Sequence, residues 1–593
     1  MRRLIFIILI FSLFMPVSAA ASPIRTARAV DQQDAGMDFP AVDPNYIYDQ
    51  LFYTVTHFQR RESGYHQNVP VSVSGHDAFA AYWSQEMARD LQGFGPQVRR
   101  DFFATPGWLR RTPTVPAFNV EVSVPGVVHP EQAVVIGCHY DGEASSTQSA
   151  NDDGSGCSIE LGVARAMASY WRAHHVYPAR TLRFVIFDAE EQGIYGSFHY
   201  LDSTINGDIS NITAMFNEEQ NGIAYPLRFL GQLDNPPLYF RILLSPVGND
   251  DYYPKQADLS PQRAARITRF QYLQWQAVIA AFAKFRALGY QMLSYHNAKK
   301  QDVLQPIFTP DQLQDIHMMN DNSGGSDQIP FTLAGLACST FIGDFSYYDP
   351  YPPIWAYPYD QSNDTIQLMN TFADGSSHKS NALMLALGLP GMLTTWMLNQ
   401  PDILGLATLD RNPVAAISDV GQTKVGASVS LDAQASFDPQ SSSTPLSYAW
   451  NFGDGTTASG IRVQHTYTTA GSYHLILTVT SPAGTRRVSK TITVVAHPTI
   501  YSDFYRNYYG QGFGQQDGRP PANPVVTLPK PDDSLSDRVA LAPPASTVSS
   551  VLKLSAPAPS YTGTIIGIAL AVLLVVVIAG VALQVRRRAR HVS

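Results

Sequence analysis

The stretch TLRFVIFDAEEQGIYGS, Thr181 to Ser197, runs through apolar residues and then sets Asp188, Glu190 and Glu191 almost side by side. TLRFVIF has the length and the β-branched and aromatic content of a buried strand. Clustered carboxylates repel one another and lose hydration when partly buried, so the acids that follow imply a cation among them or open water around them. Other runs suited to buried strands are FNVEVSVPG, AVVIGC (Ala133 to Cys138), TAMF (Thr213 to Phe216) and LACSTFIG (Leu336 to Gly343). The amphipathic helix pattern IELGVARAMASYWRA lies between AVVIGC and TLRFVIF. Strands alternating with helices predict an α/β domain, a mixed, mostly parallel sheet flanked by helices.

The polar residues fall where such a sheet would use them. His139 and Asp141 follow AVVIGC, Glu190 and Glu191 follow TLRFVIFDA, and Glu218 and Glu219 follow TAMFN. Sites in open α/β sheets lie beyond the carboxyl ends of the strands. SANDDGSG, Ser149 to Gly156, reads alone as a loop capping the next helix. Beside HYD and AEE, its aspartates join the same edge. Asn45 to Arg100 reads as mostly helical, and Leu259 to Leu293 as one long helix inserted near the sheet edge. NALMLALGLPGMLTTWML closes the domain near Asn399, which gives it bounds of 44–400.

With 593 residues the chain exceeds one ordinary domain. Its net charge of -8 argues against a nucleic-acid-binding surface. Residues 1–21 have the layout of a secretory signal peptide: Arg2 and Arg3, the run LIFIILIFSLFMPV, then small residues. Ile565 to Val585 is long and apolar enough to cross a bilayer. The arginines that follow it in the tail 586–593 place that end in the cytoplasm. A single-pass cell-membrane protein with its domains outside the cytoplasm is the expectation. Three cysteines, Cys138, Cys157 and Cys338, are too few for a disulfide framework and read as small core fillers. Strand alternation also points Cys138 away from His139.

After Asn412 the pattern changes to short Val/Thr/Ser strands with turn signals. PVAAIS, LDAQASFDP, YAWNFGDG and HTYTTAGSYHLILTV resemble a PKD-type domain over 412–496. That resemblance implies an immunoglobulin-like all-β sandwich acting as a spacer, with surface contacts as its alternative role. Residues 497–560, rich in Pro, Gly, Gln and Tyr, read as a stalk.

Taken together, His139-Tyr-Asp141, ANDDGSG and AEE-x-G resemble the aminopeptidase Y and bacterial leucyl aminopeptidase family of co-catalytic dizinc exopeptidases. RRESGYHQ looks like that family's entry region. The resemblance implies two divalent metal ions, and zinc at both sites. It makes His139 and Glu219 ligands of one ion, Asp152 the bridge and Glu191 a ligand of the second. Glu190 takes the place of the general base, and Asp141 that of the carboxylate orienting the His139 imidazole. Tyr359 matches the tyrosine that stabilises the oxyanion. Two positions depart from the family: Asp360 stands where the last zinc-binding histidine belongs, and Gln328 replaces another histidine. Carboxylate binds zinc as imidazole does, but an all-oxygen second site also suits manganese. The implied activity is removal of N-terminal residues from extracellular peptides that carry a free N-terminus. The alternative is a degenerate peptidase fold kept as a binding or adhesion module.

Overall fold

The computed structural model describes residues 38–500, apart from 65–74, 106–113, 205–208, 224–239, 248–258, 296–301, 307, 322–325, 344–360, 375–377, 419–421 and 441–442. The signal-like segment, nearly all of the stalk, the apolar run 565–585 and the basic tail lie outside the described residues, as do Tyr359 and Asp360.

One sheet carries eight strands: β1 (Gln97–Ala104), β2 (Pro116–Val124), β3 (His129–His139), β4 (Arg180–Phe187), β5 (Ile212–Glu219), β6 (Phe240–Leu244), β7 (Ile316–Asn320) and β8 (Cys338–Ile342). Their spatial order is β1-β2-β4-β3-β5-β8-β6-β7. The central four, β4, β3, β5 and β8, run parallel. β2 is antiparallel to both β1 and β4, and β6 is antiparallel to β8. The sheet is therefore mixed with a parallel centre, as the sequence predicts. In the centre His139 is level with Phe187, and Glu219 with Ile342, so four carboxyl ends meet at one edge.

Alternation along β3 divides the interior. Val134, Ile136 and Cys138 face a large core built with α1 (Pro44–His57), α2 (His76–Asp90) and α3 (Gly154–His174). Ala133 and Val135 face a smaller core that includes Phe198 of α4 (Tyr195–His199). α5 (Pro261–Ala287), α6 (Ile329–Leu333), α7 (Ile366–Asp374) and α8 (Asn381–Leu398) follow. α5, α7 and α8 join the large core, and α6 the small one. α8 is apolar on every side, which suits a helix with no solvent face. Among the described residues it is long and apolar enough to cross a membrane, yet it is 83% buried within the domain.

Three sequence expectations need correction. The region 45–100 is helical only to Asp90, after which β1 begins. The long helix stops at Ala287, because Gly289 adopts a φ of 73° that helices exclude, and Gln291–Tyr295 pairs as a strand with Asp302–Pro306. Nor is α5 an edge insertion: Phe270 lies 5.5 Å from the ring of Phe216 in β5, and Gln274 Nε2 donates to Ser339 Oγ in β8 at 2.8 Å. Finally, Cys138 and Cys157 are not separate core fillers but a disulfide, with Cα atoms 5.5 Å apart. The alternation that turns Cys138 from His139 is what aims it at the first turn of α3. Cys338 remains a free, buried thiol.

The C-terminal described region is β-rich. Thr423–Lys424, Gly484–Val495, Gly471–Ser481, Ser447–Asn451 and Thr457–Ser459 form one sheet, and Ser428–Asp432 pairs with Arg462–Thr466 in a second. Trp450, Leu431, Leu475 and Ile492 belong to their common core.

One residue breaks the apolar interior of α3. Glu160 is fully buried, and neither of its carboxylate oxygens has a hydrogen-bond partner among the described residues. Burial raises its pKa well above the usual carboxyl range, and Glu218, Asp153 and Asp327 add to the shift. A carboxyl that holds its proton longer in the folded state stabilises the fold fully below its unfolded pKa and loses that contribution as pH rises. Glu160→Gln should therefore match the parent Tm near pH 4.5 and exceed it increasingly toward pH 8. A Tm difference that does not change with pH would count against a buried acid here.

Candidate metal centre

His139 ends β3 with its ring on the face opposite the disulfide. Its Nε2 lies 2.8 Å from Asp152 Oδ1 and 3.8 Å from Glu219 Oε2. Two overlapping ligand groups result, His139 with Asp152 and Glu191, and His139 with Asp153 and Glu219. The ligand atoms within each group lie within 4.8 Å of one another, and all five residues are buried. The four metal ligands expected from the sequence among the described residues are thus together. Asp153 is additional.

The loop carrying the aspartates is clamped from both ends of the domain. Arg61, buried in the RRESGYHQ segment, donates to the carbonyls of Tyr140 (2.9 Å), Gln148 (2.8 Å) and Ser149 (2.8 Å). Burial lowers its pKa to about 10 against the opposing pull of Asp364, Asp153, Asp141 and Asp152. Asp364 accepts from the amides of Asn151 (2.9 Å) and Asp152 (3.2 Å). Asp153 also caps α3, accepting from the Gly156 amide at 2.8 Å. Gly156 is required there, since a Cβ would collide with the Asp153 carboxylate and the Glu218 carbonyl.

Asp141 does more than the sequence predicts. Its carbonyl lies 3.2 Å and its Oδ1 3.5 Å from His139 Nδ1, the expected orienting contact. Its carboxylate also accepts from the amides of Glu190 (3.1 Å) and Glu191 (3.3 Å). One residue thereby positions the imidazole and both glutamates. Ala189 turns the loop between them with a φ of 60°.

Burial opposes charge on His139, but hydrogen bonds to Asp141 and Asp152 and the charges of Glu190 and Glu219 raise its pKa well above the usual value. For Glu190, burial and the charges of Glu219, Asp327 and Asp141 raise the pKa, while His139 pulls the other way. Glu190 is the partly exposed member of this cluster. Asp153 Oδ2 and both oxygens of Asp327 have no hydrogen-bond partner among the described residues. Buried carboxylates in that state need a cation or a proton, and imidazole with carboxylates is a donor set that divalent metals accept.

Sequence reasoning passed over three residues here. Asp327 sits within GGSDQIPF, which was read only for Gln328. Arg61 was covered by a segment resemblance alone. His76 stands in no motif: its Nε2 lies 3.1 Å from Asp188 Oδ1 and its Nδ1 2.8 Å from Asp77 Oδ1. Asp188 is fully buried and anchors the start of its loop, accepting from the Phe118 amide at 2.8 Å and from Ser63 Oγ at 2.5 Å. His378 is exposed.

Residues 119–236 match peptidase family M28, and residues 410–496 match the PKD domain. These regions are thus similar to M28 peptidases and to PKD domains. The chain is 34% identical over 99 residues to aminopeptidase YwaD of Bacillus subtilis, which is 17% of this chain and 20% of that relative. It is 39% identical over 85 residues to vacuolar protein sorting-associated protein 70 of Saccharomyces cerevisiae, covering 14% of this chain and 10% of the relative. The chain thus spans a fifth or less of the length of these two curated relatives. The solved structure of BSAP, a zinc aminopeptidase from Bacillus subtilis, aligns at 14% identity with a TM-score of 0.37, covering 62% of this chain and 95% of its own.

Burial opposes the charge of His76, but Asp188 and Asp77 raise its pKa to about 9. A raised histidine stabilises the fold fully below about pH 6.5 and loses that contribution as pH rises through 9. His76→Gln should flatten the stability profile of the α/β domain between those values. Asp188→Asn, which strands the buried imidazolium, should cost about 3–5 kcal/mol in urea titration at pH 7.

Proposed function

We propose that residues 44–400 act as a metal-dependent aminopeptidase working outside the cell on peptides with a free N-terminus. The observation that carries this reading is the convergence of His139, Asp152, Glu191 and Glu219, all buried, beside the partly exposed Glu190. His139, Asp152 and Glu219 would hold one cation, and Asp152, Glu191 and Asp360 a second. Bound there, divalent ions such as zinc supply Lewis acidity, polarising the scissile carbonyl and making a water acidic near neutral pH.

The chain supplies the rest. Glu190 takes a proton from the attacking water and returns it to the leaving amine, a role that suits the one acid of the group open to the outside. Asp141 accepts from the Glu190 main-chain amide and so fixes the backbone that carries this carboxylate. Tyr359 would stabilise the developing oxyanion. A rim of carboxylates at this edge favours a substrate that presents an ammonium group, which an N-terminus does. Attachment to the cell membrane through residues 565–585, with the PKD domain as spacer, rests on the sequence pattern.

The test is hydrolysis of aminoacyl anilides with free and blocked N-termini, after metal removal and after reloading with zinc, manganese or cobalt. Cleavage should be confined to free-amine substrates and abolished by chelator. Glu190→Gln should lower kcat roughly 10²–10⁴-fold while metal content stays unchanged. No turnover from folded, metal-loaded protein would instead favour a binding module.

A further inference from the structure

Gln328, the amide in place of a family histidine, is built into a buried chain of hydrogen bonds that ends on Glu219. Its Nε2 donates to Asp321 Oδ2 at 2.9 Å, which turns its Oε1 toward Asn217. Asn217 Nδ2 donates to that oxygen at 3.3 Å and to Ser326 Oγ at 2.9 Å. Ser326 Oγ donates to Glu219 Oε2 at 2.6 Å. All five residues are less than 5% exposed. The other oxygen of Glu219 accepts from Gln220 Nε2 at 3.1 Å.

The order of donors and acceptors has one direction. An ionised carboxylate can only accept, whereas an amide offers a donor at one end and an acceptor at the other. Asp321 therefore fixes which way the Gln328 amide lies. Gln328 then presents an oxygen to Asn217, and Asn217 spends its two protons on Gln328 and Ser326. With its oxygen already accepting from Asn217, the Ser326 hydroxyl directs its own proton to Glu219. We propose that Asp321 and Gln328 are positioning residues: through Asn217 and Ser326 they set the orientation of Glu219 and thereby the metal affinity of the site. Histidine at 328 would have placed an ionisable ring in this chain, where glutamine keeps the link neutral.

The inference rests on the reading of Glu219 as a ligand, and the test separates the two. Zinc affinity of the full chain is measured by competition with a chromogenic chelator, for the parent, Ser326→Ala, Asp321→Asn and the double variant. Ser326→Ala should weaken binding about 10–100-fold, the usual consequence of losing a partner of a metal ligand. Asp321→Asn lets the Gln328 amide reverse and should weaken binding in the parent. In the Ser326→Ala background it should have almost no further effect, because the link through which it acts is gone. A purely structural role for Asp321 would lower affinity by the same factor in both backgrounds, which would overturn the proposal. Gln328→Met, which keeps the length of the side chain but removes both the amide donor and the oxygen that Asn217 meets, should mimic Asp321→Asn in both backgrounds, and Gln328→Met binding as the parent does would also overturn it. Absence of zinc binding by the parent would instead overturn the metal-centre reading itself.

Discussion

Carboxylates gathered at one sheet edge stay ionised only if positive charge is gathered with them. The α/β domain meets this requirement in two ways. An outer ring is matched by the protein's own cations, Arg61 beneath the aspartate loop and His76 against Asp188. An inner set gathers its carboxylates around the His139 imidazole. The division explains why both cations are buried, a placement that costs much hydration unless it stabilises something worth more. They hold loops in place at the edge where the proposed metal ligands gather.

Parity along β3 then links stability to chemistry. Consecutive residues point to opposite sides of the sheet, so Cys138 and His139 serve different masters. One bonds to the first turn of α3, and the other faces the acids that precede that same helix. The strand and the helix start are joined on one side of the sheet while their functional residues meet on the other.

Much of this was legible in the sequence. The apolar runs located the central strands, and the acids behind them located the edge, because strand ends are where a parallel sheet exposes polar side chains. The choice of His139, Asp152, Glu191 and Glu219 among the residues at that edge came from the resemblance to the dizinc exopeptidases. What stayed hidden depended on contacts across long separations. Nothing near Arg61 announces that it will fold under residues 140–149, and a histidine opening α2 gives no local sign of an aspartate 112 positions later, as His76 and Asp188 show. The disulfide escaped for another reason: a count of three cysteines is weak evidence either way, and pairing is decided by the face of a strand meeting the turn of a helix. Asp327 stayed hidden because nothing in the neighbouring sequence marks it as a fully buried acid.

The clamp on the aspartate loop has a consequence for the order of assembly. Arg61 reaches it from 88 positions upstream of Ser149, and Asp364 from 213 positions downstream of Asn151. Closing such distant contacts comes late in folding, since loop closure must precede their gain. A nascent chain that has emerged only as far as β5 already contains Arg61, His139, Asp152, Glu191 and Glu219, yet it lacks Asp364, the second of the two residues that hold the loop in place. In the proposed metalloenzyme, capture of an ion would thereby be favoured by completion of the domain.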